Sequence, residues 1–365
     1  MSETAHDLLP WLALDAARVP GRARPHVLER GAERVLHEGE LLLHGPARRV
    51  AWDPERTLAS GQRALAFLEQ GGLVLGGPDA AALGRAAARK RPPLLLYGRG
   101  HPGLLERPAL VAVVGTREPS PVGLTRARRL AEALVEVGAV TVSGGARGID
   151  RAAHEAALEA GGQTVAVLGQ PAGLARDERQ GWMQSAFDAA GPRALSVTPY
   201  APSVPEHPAL FAARNWTLAA LVDAVVVVEG ALGSGTRHTA RAAGALGVPV
   251  FTWPSDAERV TAAMPNALLA SGRASALPGD ARAAVARMLA DHAPAGAPLS
   301  GPAAAEPPHP LADALAAAGG VLLLDQAATA LGLGVAELLG LVVELELDGR
   351  LAREGPALRL LPAGR

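Results

Sequence analysis

Between residues 110 and 255, short valine-rich runs alternate with longer amphipathic segments. The runs include ALVAVVG, AVTVSGG, QTVAVLG and DAVVVVEG, and they are apolar along their whole length rather than at every second position. Strands of that kind are covered on both faces, as in a parallel sheet enclosed by helices. In one intervening segment, Ala127, Leu130 and Leu134 have the i, i+3, i+7 spacing of an amphipathic helix. The alternation predicts an α/β fold with an extended Rossmann-like, doubly wound parallel sheet.

The regions around this pattern predict a division into modules. Residues 1–90 lack strand-like runs and predict a small helical module of the SAM or helix-hairpin-helix type, in which ARVPGRARPHVLERG could form a helix–turn–helix pair. Residues 91–291 would form the extended Rossmann-like domain. Residues 292–310 are rich in alanine and proline and predict a flexible linker. Residues 311–365 predict three helices and a two-stranded wing, which together make a small winged-helix module.

Composition and charge exclude several classes of function. Because 35 basic residues nearly balance 36 acidic ones, a nucleic-acid partner would need basic groups concentrated locally. The absence of cysteine excludes disulfides and thiol catalysis and fits a reducing cytoplasm. The start, MSETAHDLLP, has no apolar signal-peptide core, and no run reaches the roughly 18 apolar residues of a membrane span. We therefore expect a cytoplasmic protein that does not associate with membranes.

Glycines, hydroxyl residues and arginines recur where the predicted strands end. The loops GTREPSPVG, SGGARGID and ALGSGTRHT each place an arginine near the start of a helix. Such loops meet at one edge of a parallel sheet, where helix N-termini and arginine side chains bind phosphate groups. We expect a phosphate or polyanion site at this edge. Its candidate residues are Gly115, Thr116, Arg117, Ser143, Gly144, Gly145, Arg147, Gly148, Arg214, Asn215, Ser234, Gly235, Thr236 and Arg237.

The loops do not indicate a nucleotide cofactor or a catalytic centre. Neither a dinucleotide G-x-G-x-x-G motif nor a Walker A motif is present. Asp150 and His154 are four residues apart and could share a hydrogen bond, with a structural role favoured over a catalytic one. Glu229, directly after a strand, could be an active-site carboxylate or could only cap the following loop. We therefore expect a protein that is not an enzyme and that uses no metal or cofactor.

Four segments of the central region resemble the DprA/Smf family of DNA-processing proteins. They are VAVVGTREPSPVG, TVSGGARGIDRAAHEAALEAGGQTVAVLG, FAARNWTLAALVDAVVVVEG and GSGTRHTARAAGALGVPVF, in the family's order. The resemblance implies a non-catalytic, cytoplasmic homodimer that binds and protects single-stranded DNA and delivers it to RecA during natural transformation and recombination. It assigns the positively charged pocket to Arg117, Arg147 and Arg214 with Asn215, aided by residues 234–236. Trp216 follows Asn215 where the family usually has a basic residue.

Two alternatives belong to other classes of protein. The fold is also similar to that of the phosphoribohydrolases of nucleoside monophosphates, but Thr239 stands where their loop has a glutamate. That loop therefore lacks a carboxylate for acid–base catalysis. The other alternative is a regulator that binds DNA through its winged helix. Residues 311–349 contain six acidic residues and neither arginine nor lysine, so phosphates would be repelled. We expect this module to bind protein or to act within the chain.

Overall fold

A computed structural model describes residues 10–12, 14–15, 54–77, 79–89, 92–173, 178–256, 258–290, 309–334, 338–339, 341–342, 345, 351–354 and 356–360. The chain divides into two compact units. The first comprises Met1–Pro205 and Arg214–Pro298, and the second comprises Glu206–Ala213 and Leu299–Arg365. In the described ranges, no helix is long and apolar enough to cross a membrane.

The described part of the first unit is built on a nine-stranded sheet. Its strands are β1 (Leu73–Gly76), β2 (Leu95–Gly100), β3 (Leu110–Val114), β4 (Val140–Ser143), β5 (Thr164–Val167), β6 (Ala194–Thr198), β7 (Ala224–Val227), β8 (Val250–Thr252) and β9 (Ser275–Ala276). Their order across the sheet is β1-β2-β6-β5-β4-β3-β7-β8-β9. All neighbouring strands in the stretch β6-β5-β4-β3-β7-β8-β9 are parallel to each other. Strand β2 pairs antiparallel with both β1 and β6. The prediction of an α/β fold with a mostly parallel sheet is confirmed.

Helices cover both faces of this sheet. They are α1 (Pro54–Glu69), α2 (Pro121–Glu136), α3 (Ile149–Glu159), α4 (Glu178–Ala190), α5 (Ala209–Leu221), α6 (Thr236–Ala245), α7 (Ala263–Ala270) and α8 (Ala281–Ala290). Of α5, only residues 214–221 belong to this unit. In β3, Leu110 and Ala112 pack into one core cluster, whereas Val111 and Val113 pack into another that includes residues of α2, α3 and α8. Because neither face meets water, the strand is apolar at every position.

The sheet begins earlier in the chain than the sequence predicts. β1 lies inside the segment expected to be purely helical, and Leu73 pairs with Gly98 while Gly76 pairs with Leu95. The predicted helical module over residues 1–90 therefore also contains a strand, which was not predicted because a four-residue strand carries too little pattern to be recognised. Residues 17–31, in which the helix-hairpin-helix was predicted, lie outside the described residues.

The second unit contains short helices and a small sheet. Its elements in the described ranges are α9 (Pro310–Ala317), β10 (Val321–Leu323), α10 (Leu324–Leu331), β11 (Leu351–Glu354) and β12 (Ala357–Leu360). The strands are antiparallel in the order β10-β12-β11. The β11–β12 hairpin lies where a wing was expected, and the winged-helix assignment stays a prediction. Most of the predicted linker, up to residue 308, lies outside the described residues.

Candidate nucleic-acid interface

The three loops that contain glycine and arginine meet where the strand order reverses. The chain runs from β3 to β6 in one direction across the sheet and resumes with β7 on the other side of β3. In open α/β sheets, ligands bind in the crevice beyond the strand ends at such a point. The Thr116 N–H donates to the carbonyl oxygen of Glu229 at 2.8 Å, and the Ile149 N–H donates to the carbonyl oxygen of Thr116 at 3.2 Å. Backbone hydrogen bonds therefore connect the loop after β3 to both other loops.

The predicted site residues differ widely in exposure. Those that are buried are Ser143, Gly144, Gly145, Arg214, Asn215 and Thr236. Those that are half-buried are Gly115, Thr116, Gly148, Ser234 and Arg237. Those that are exposed are Arg117, Arg147 and Gly235. The Ser143 hydroxyl donates to the Val113 carbonyl oxygen at 2.6 Å, so this side chain connects β4 to β3.

The SGGARGID loop already surrounds an anion that belongs to the chain. Asp150, in the first turn of α3, accepts hydrogen bonds from the backbone N–H groups of Gly144 at 3.1 Å and Ala146 at 3.4 Å. The residue is only 6% exposed. Burial raises the pKa of Asp150, and the nearby charge of Arg214 and the hydrogen bonds of the loop oppose that shift. These two N–H groups are therefore occupied before any ligand arrives.

Arg214 lies beneath the same loop and is 7% exposed. Its Nη1 donates to the carbonyl oxygen of Gly144 at 2.8 Å and also to that of Val167. A Cβ atom on Gly144 would lie 2.6 Å from Nη1, which explains the glycine at that position. Burial lowers the pKa of Arg214, whereas the charges of Asp150 and Tyr200 raise it. We interpret Arg214 as a positioning residue that holds the loop from behind.

Two arginines reach solvent on neighbouring loops. Arg117 is exposed, and in the part of the chain that the structure describes it has no hydrogen-bond or ion-pair partner. Arg147 has a side chain 64% exposed, and its Nη2 donates to Glu118 Oε1 at 2.8 Å. A surface pair of this kind contributes about 1 kcal/mol or less, so a phosphate can displace Glu118. Glu118 was not among the predicted residues, although it directly follows Arg117.

Hydroxyl groups line the start of α6. A Cβ atom on Gly230 would lie 3.0 Å from Ser234 Oγ and 3.3 Å from Thr236 Oγ1, so both hydroxyls face the same small space. The Ser234 hydroxyl is buried and has no hydrogen-bond partner among the described residues. Asn215 Nδ2 donates to the carbonyl oxygen of Gly235 at 3.5 Å and so connects α5 to this loop. Ser234 and Thr236 can therefore offer hydroxyl groups to a ligand, while Asn215 supports the loop.

A second internal carboxylate, Glu229, closes the N-terminus of α2. It is 1% exposed and accepts hydrogen bonds from the Ser120 N–H at 2.9 Å and the Ser120 hydroxyl at 2.5 Å. Arg259 Nη1 lies 3.5 Å from Glu229 Oε1. Glu229 therefore has a structural contact, but it is made to the start of α2 and not to the loop that follows Glu229, as the capping alternative expected. Arg259 was not predicted, because nothing in the sequence connects it to a loop so distant along the chain.

His154 does not pair with Asp150. Its Nδ1 lies 2.6 Å from Thr164 Oγ1, and that hydroxyl donates its own proton to the Thr141 carbonyl oxygen. Nδ1 must therefore carry the proton and donate to Thr164. Burial lowers the pKa of His154 to about 3, so the imidazole is neutral and acts as a core side chain. Within the described ranges, no group of three or more His, Cys, Asp or Glu residues could hold a metal ion.

Comparison with known proteins adds a family match. A family model described as DNA recombination-mediator protein A matches residues 82–287. The DNA processing protein DprA of Streptococcus pneumoniae is 37% identical over 162 residues, which are 44% of this chain and 56% of that protein. The chain spans about half the length of the curated relatives it matches, with 48% for one from Mycobacterium tuberculosis and 45% for one from Escherichia coli.

Two solved structures have a similar fold. The X-ray structure of DprA from Streptococcus pneumoniae has a TM-score of 0.60 and 25% identity, and the match covers 75% of this chain and 95% of that one. DNA processing protein A from Helicobacter pylori has a TM-score of 0.52 and 28% identity, and the match covers 61% of this chain and 97% of that one. The Helicobacter pylori structure describes a binding mode for single-stranded DNA.

Proposed function

The chain belongs to the DNA recombination-mediator protein A family, and from that premise we propose that it binds single-stranded DNA at the loops after β3, β4 and β7. The observation that carries this proposal is the position of Arg117 and Arg147, both exposed, on neighbouring loops at the point where the strand order reverses. Single-stranded DNA is also the ligand of the Helicobacter pylori relative.

Binding would depend mainly on phosphates. Arg117 and Arg147 provide planar guanidinium groups that can form two hydrogen bonds each with phosphate oxygens. Thr116, Ser234 and Thr236 would add hydroxyl donors, and Gly235 and Arg237 lie beside them at the start of α6. Since Asp150 already accepts hydrogen bonds from Gly144 and Ala146, and Glu229 from Ser120 at the start of α2, we infer that the arginines supply most of the positive potential. Affinity should therefore fall steeply as the salt concentration rises.

We extend the proposal to the role that the family resemblance implies. A homodimer in the cytoplasm would protect the bound strand and load RecA onto it during natural transformation and recombination. The buried pair of Asp150 and Arg214 supports the strand-binding part of this role, because it holds the loop in one conformation before DNA arrives. A preorganised site loses less conformational entropy on binding.

The alternative of a phosphoribohydrolase is not favoured. That reaction needs a carboxylate near the glycosidic bond, and Thr239, where the glutamate would stand, is 3% exposed. Asp150 and Glu229 are buried and already accept hydrogen bonds from the loops. We therefore propose that the site binds its ligand without catalysis. Release of free base from nucleoside monophosphates by the purified protein would favour the phosphoribohydrolase over the binding protein.

Fluorescence anisotropy with a labelled oligothymidine across a salt series tests the binding site. We expect Arg117→Glu and Arg147→Glu to weaken binding at least tenfold and to lower the salt slope by about 1. Arg282→Glu is a matched control, because Arg282 is also exposed and paired, with Glu136 at 2.7 Å. Glu136 ends α2 and so lies at the opposite edge of the sheet. Wild-type affinity in both correctly folded site variants would refute the proposal.

A further inference from the structure

A cavity of about 270 Å³ lies beside the proposed DNA site, at the carboxyl end of β5. The antiparallel strands β2 and β6 form its floor, and its walls come from α1, the loop at 168–173 and α4. Sites for drug-sized ligands usually have about 300–1,000 Å³. The cavity is slightly smaller, which suits a ligand with a single planar ring system.

The cavity adjoins the SGGARGID loop. β5 lies directly beside β4 in the sheet, so the loops that follow these strands are neighbours. A Cβ atom on Gly145 would lie 3.0 Å from Met183 Sδ and 3.3 Å from Leu168 Cδ2, and Leu168 also lines the cavity. A strand that contacts Arg117 and Arg147 and continues along this edge of the sheet therefore reaches the cavity next.

An unpaired carboxamide lines the cavity. Gln170 is 8% exposed, and its side chain makes no hydrogen bond with any residue that the structure describes. Its backbone is well anchored, since the Thr198 hydroxyl donates to the Gln170 carbonyl oxygen at 2.8 Å. The amide of Gln170 faces the cavity, where solvent reaches it, and a carboxamide offers both an acceptor and two donors. A ligand that pairs with both groups presents donor and acceptor atoms side by side.

The lining favours a neutral planar group over a second phosphate. Arg99 provides the one charged side chain of the lining, and its Nη1 already donates to the Gln70 carbonyl oxygen at 2.8 Å. Its guanidinium also lies 5.2 Å from the ring centre of Phe67. A phosphate has acceptors only, so it would leave the Gln170 oxygen unpaired. The pairing edge of a nucleobase has both donors and acceptors.

We propose that this cavity receives one unstacked base of the bound strand and that Gln170 hydrogen-bonds to the base's Watson–Crick edge. The inference rests on the single-strand binding proposed above. In a duplex, the Watson–Crick edge is occupied by the partner base, so a base enters a side pocket only after its pairing and stacking are broken. The cavity would therefore contribute to selectivity for single strands, which the phosphate contacts of Arg117 and Arg147 cannot provide alone.

The test compares a labelled oligothymidine with an abasic oligomer that has the same number of phosphates. We expect the wild-type protein to bind oligothymidine more tightly. Gln170→Leu should weaken binding to oligothymidine about fivefold, in keeping with one lost hydrogen bond, and should leave binding to the abasic oligomer unchanged. Gln163→Leu is the matched control, because Gln163 precedes β5 at the opposite edge of the sheet and should change neither affinity.

The possible failures of this test can be told apart. If the wild-type protein binds neither oligomer, single-strand binding itself is wrong, and the base site fails with it. If it binds both equally, or if Gln170→Leu weakens both equally, only the base site is refuted. A second measurement needs no variant: 2-aminopurine is placed at each position of a bound strand and quenched with acrylamide. If the 2-aminopurine fluorescence is protected from acrylamide at one position of the strand, the proposal is supported. If it is quenched equally at every position, the proposal is overturned.

Discussion

Asp150 Oδ2 lies 3.1 Å from the backbone nitrogen of Gly144 and occupies the place that the sequence assigns to a ligand anion. Arg214 reaches the same glycine from another side and donates to its carbonyl oxygen at 2.8 Å. A buried carboxylate and a buried guanidinium therefore hold one loop between them. The loop's own arginine, Arg147, remains exposed and can meet a phosphate from solvent.

Removal of this internal carboxylate should destabilise the fold. In Asp150→Ala, the N–H groups of Gly144 and Ala146 lose their acceptor, and the buried charge of Arg214 loses its opposite charge. Removal of one member of a buried charged pair costs roughly 3–5 kcal/mol. We expect a decrease of about 3 kcal/mol in the free energy of unfolding in urea.

Asp188→Ala serves as the control for this stability measurement. The exposed carboxylate of Asp188 accepts hydrogen bonds only from the Gln184 side chain, at 3.0 and 2.8 Å, among the contacts described. Its removal should change the free energy of unfolding by about 0.5 kcal/mol or less. Equal stabilities of the Asp150→Ala and Asp188→Ala variants would contradict the structural role of Asp150.

The ion pair between Glu118 and Arg147 should compete with DNA. Both side chains are exposed, so the pair is weak, but its carboxylate also repels an approaching phosphate. We expect Glu118→Gln to tighten single-strand binding by about twofold to fivefold, since the expected gain is below about 1 kcal/mol. Anisotropy measured at low salt would detect this change. Glu136→Gln is the control, because it releases Arg282 at the opposite edge of the sheet and should leave the affinity unchanged. Weaker binding by the Glu118→Gln variant would contradict the prediction.

Much of the fold follows from local sequence patterns. The valine-rich runs from β3 to β7 are apolar at every position because both faces are covered, and this property identified the parallel part of the sheet. The antiparallel edge was missed. β1 has four residues, and its pairing with β2 depends on contacts that no local pattern encodes. The mixed character of the sheet therefore becomes visible only in the tertiary structure.

The meeting of the three loops could be predicted from the sequence, whereas the structural role of each residue in them could not. The predicted loops do meet where the strand order reverses, because strand ends converge in any parallel sheet. Whether an arginine is exposed like Arg117 or buried like Arg214 depends on neighbours distant in sequence. The structural role favoured for Asp150 agrees with its hydrogen bonds to the preceding loop, but its expected partner, His154, was wrong.

Gly148 should be intolerant of any side chain. Its φ is +84°, and a Cβ atom there would lie 2.4 Å from the carbonyl oxygen of Thr116 and 2.8 Å from Arg117 Cα. Gly148→Ala should therefore displace the loop that carries Arg117 and weaken single-strand binding about tenfold or more, as a displacement of a contact residue would. Gly161→Ala is a matched control, because Gly161 has φ of +78° and no atom within 4 Å of a Cβ. Similar losses of affinity in both variants would show that backbone strain alone is responsible.

The contact between Asp15 and Tyr97 predicts a pH-dependent stability. The Tyr97 hydroxyl donates to Asp15 Oδ2 at 2.8 Å, but burial dominates and raises the pKa of Asp15 from 3.8 to about 7. The folded protein therefore holds this proton at pH values where the unfolded chain has lost it. The proton on Asp15 therefore contributes fully to the free energy of unfolding below about pH 4, and this contribution is lost as the pH rises through 7.

Asp15→Asn keeps an acceptor for Tyr97 and cannot titrate, so it should remove this part of the pH dependence. We compare the free energy of unfolding of the variant with that of the wild-type protein. From about pH 4.5 to pH 8, we expect this difference to shift in favour of the variant by about 1–3 kcal/mol, because one pKa unit corresponds to about 1.4 kcal/mol. Urea unfolding of both proteins at the two pH values measures this difference. Other groups titrate equally in both proteins and cancel in the comparison. The same change in stability with pH in both proteins would show that Asp15 does not titrate in the folded state as proposed.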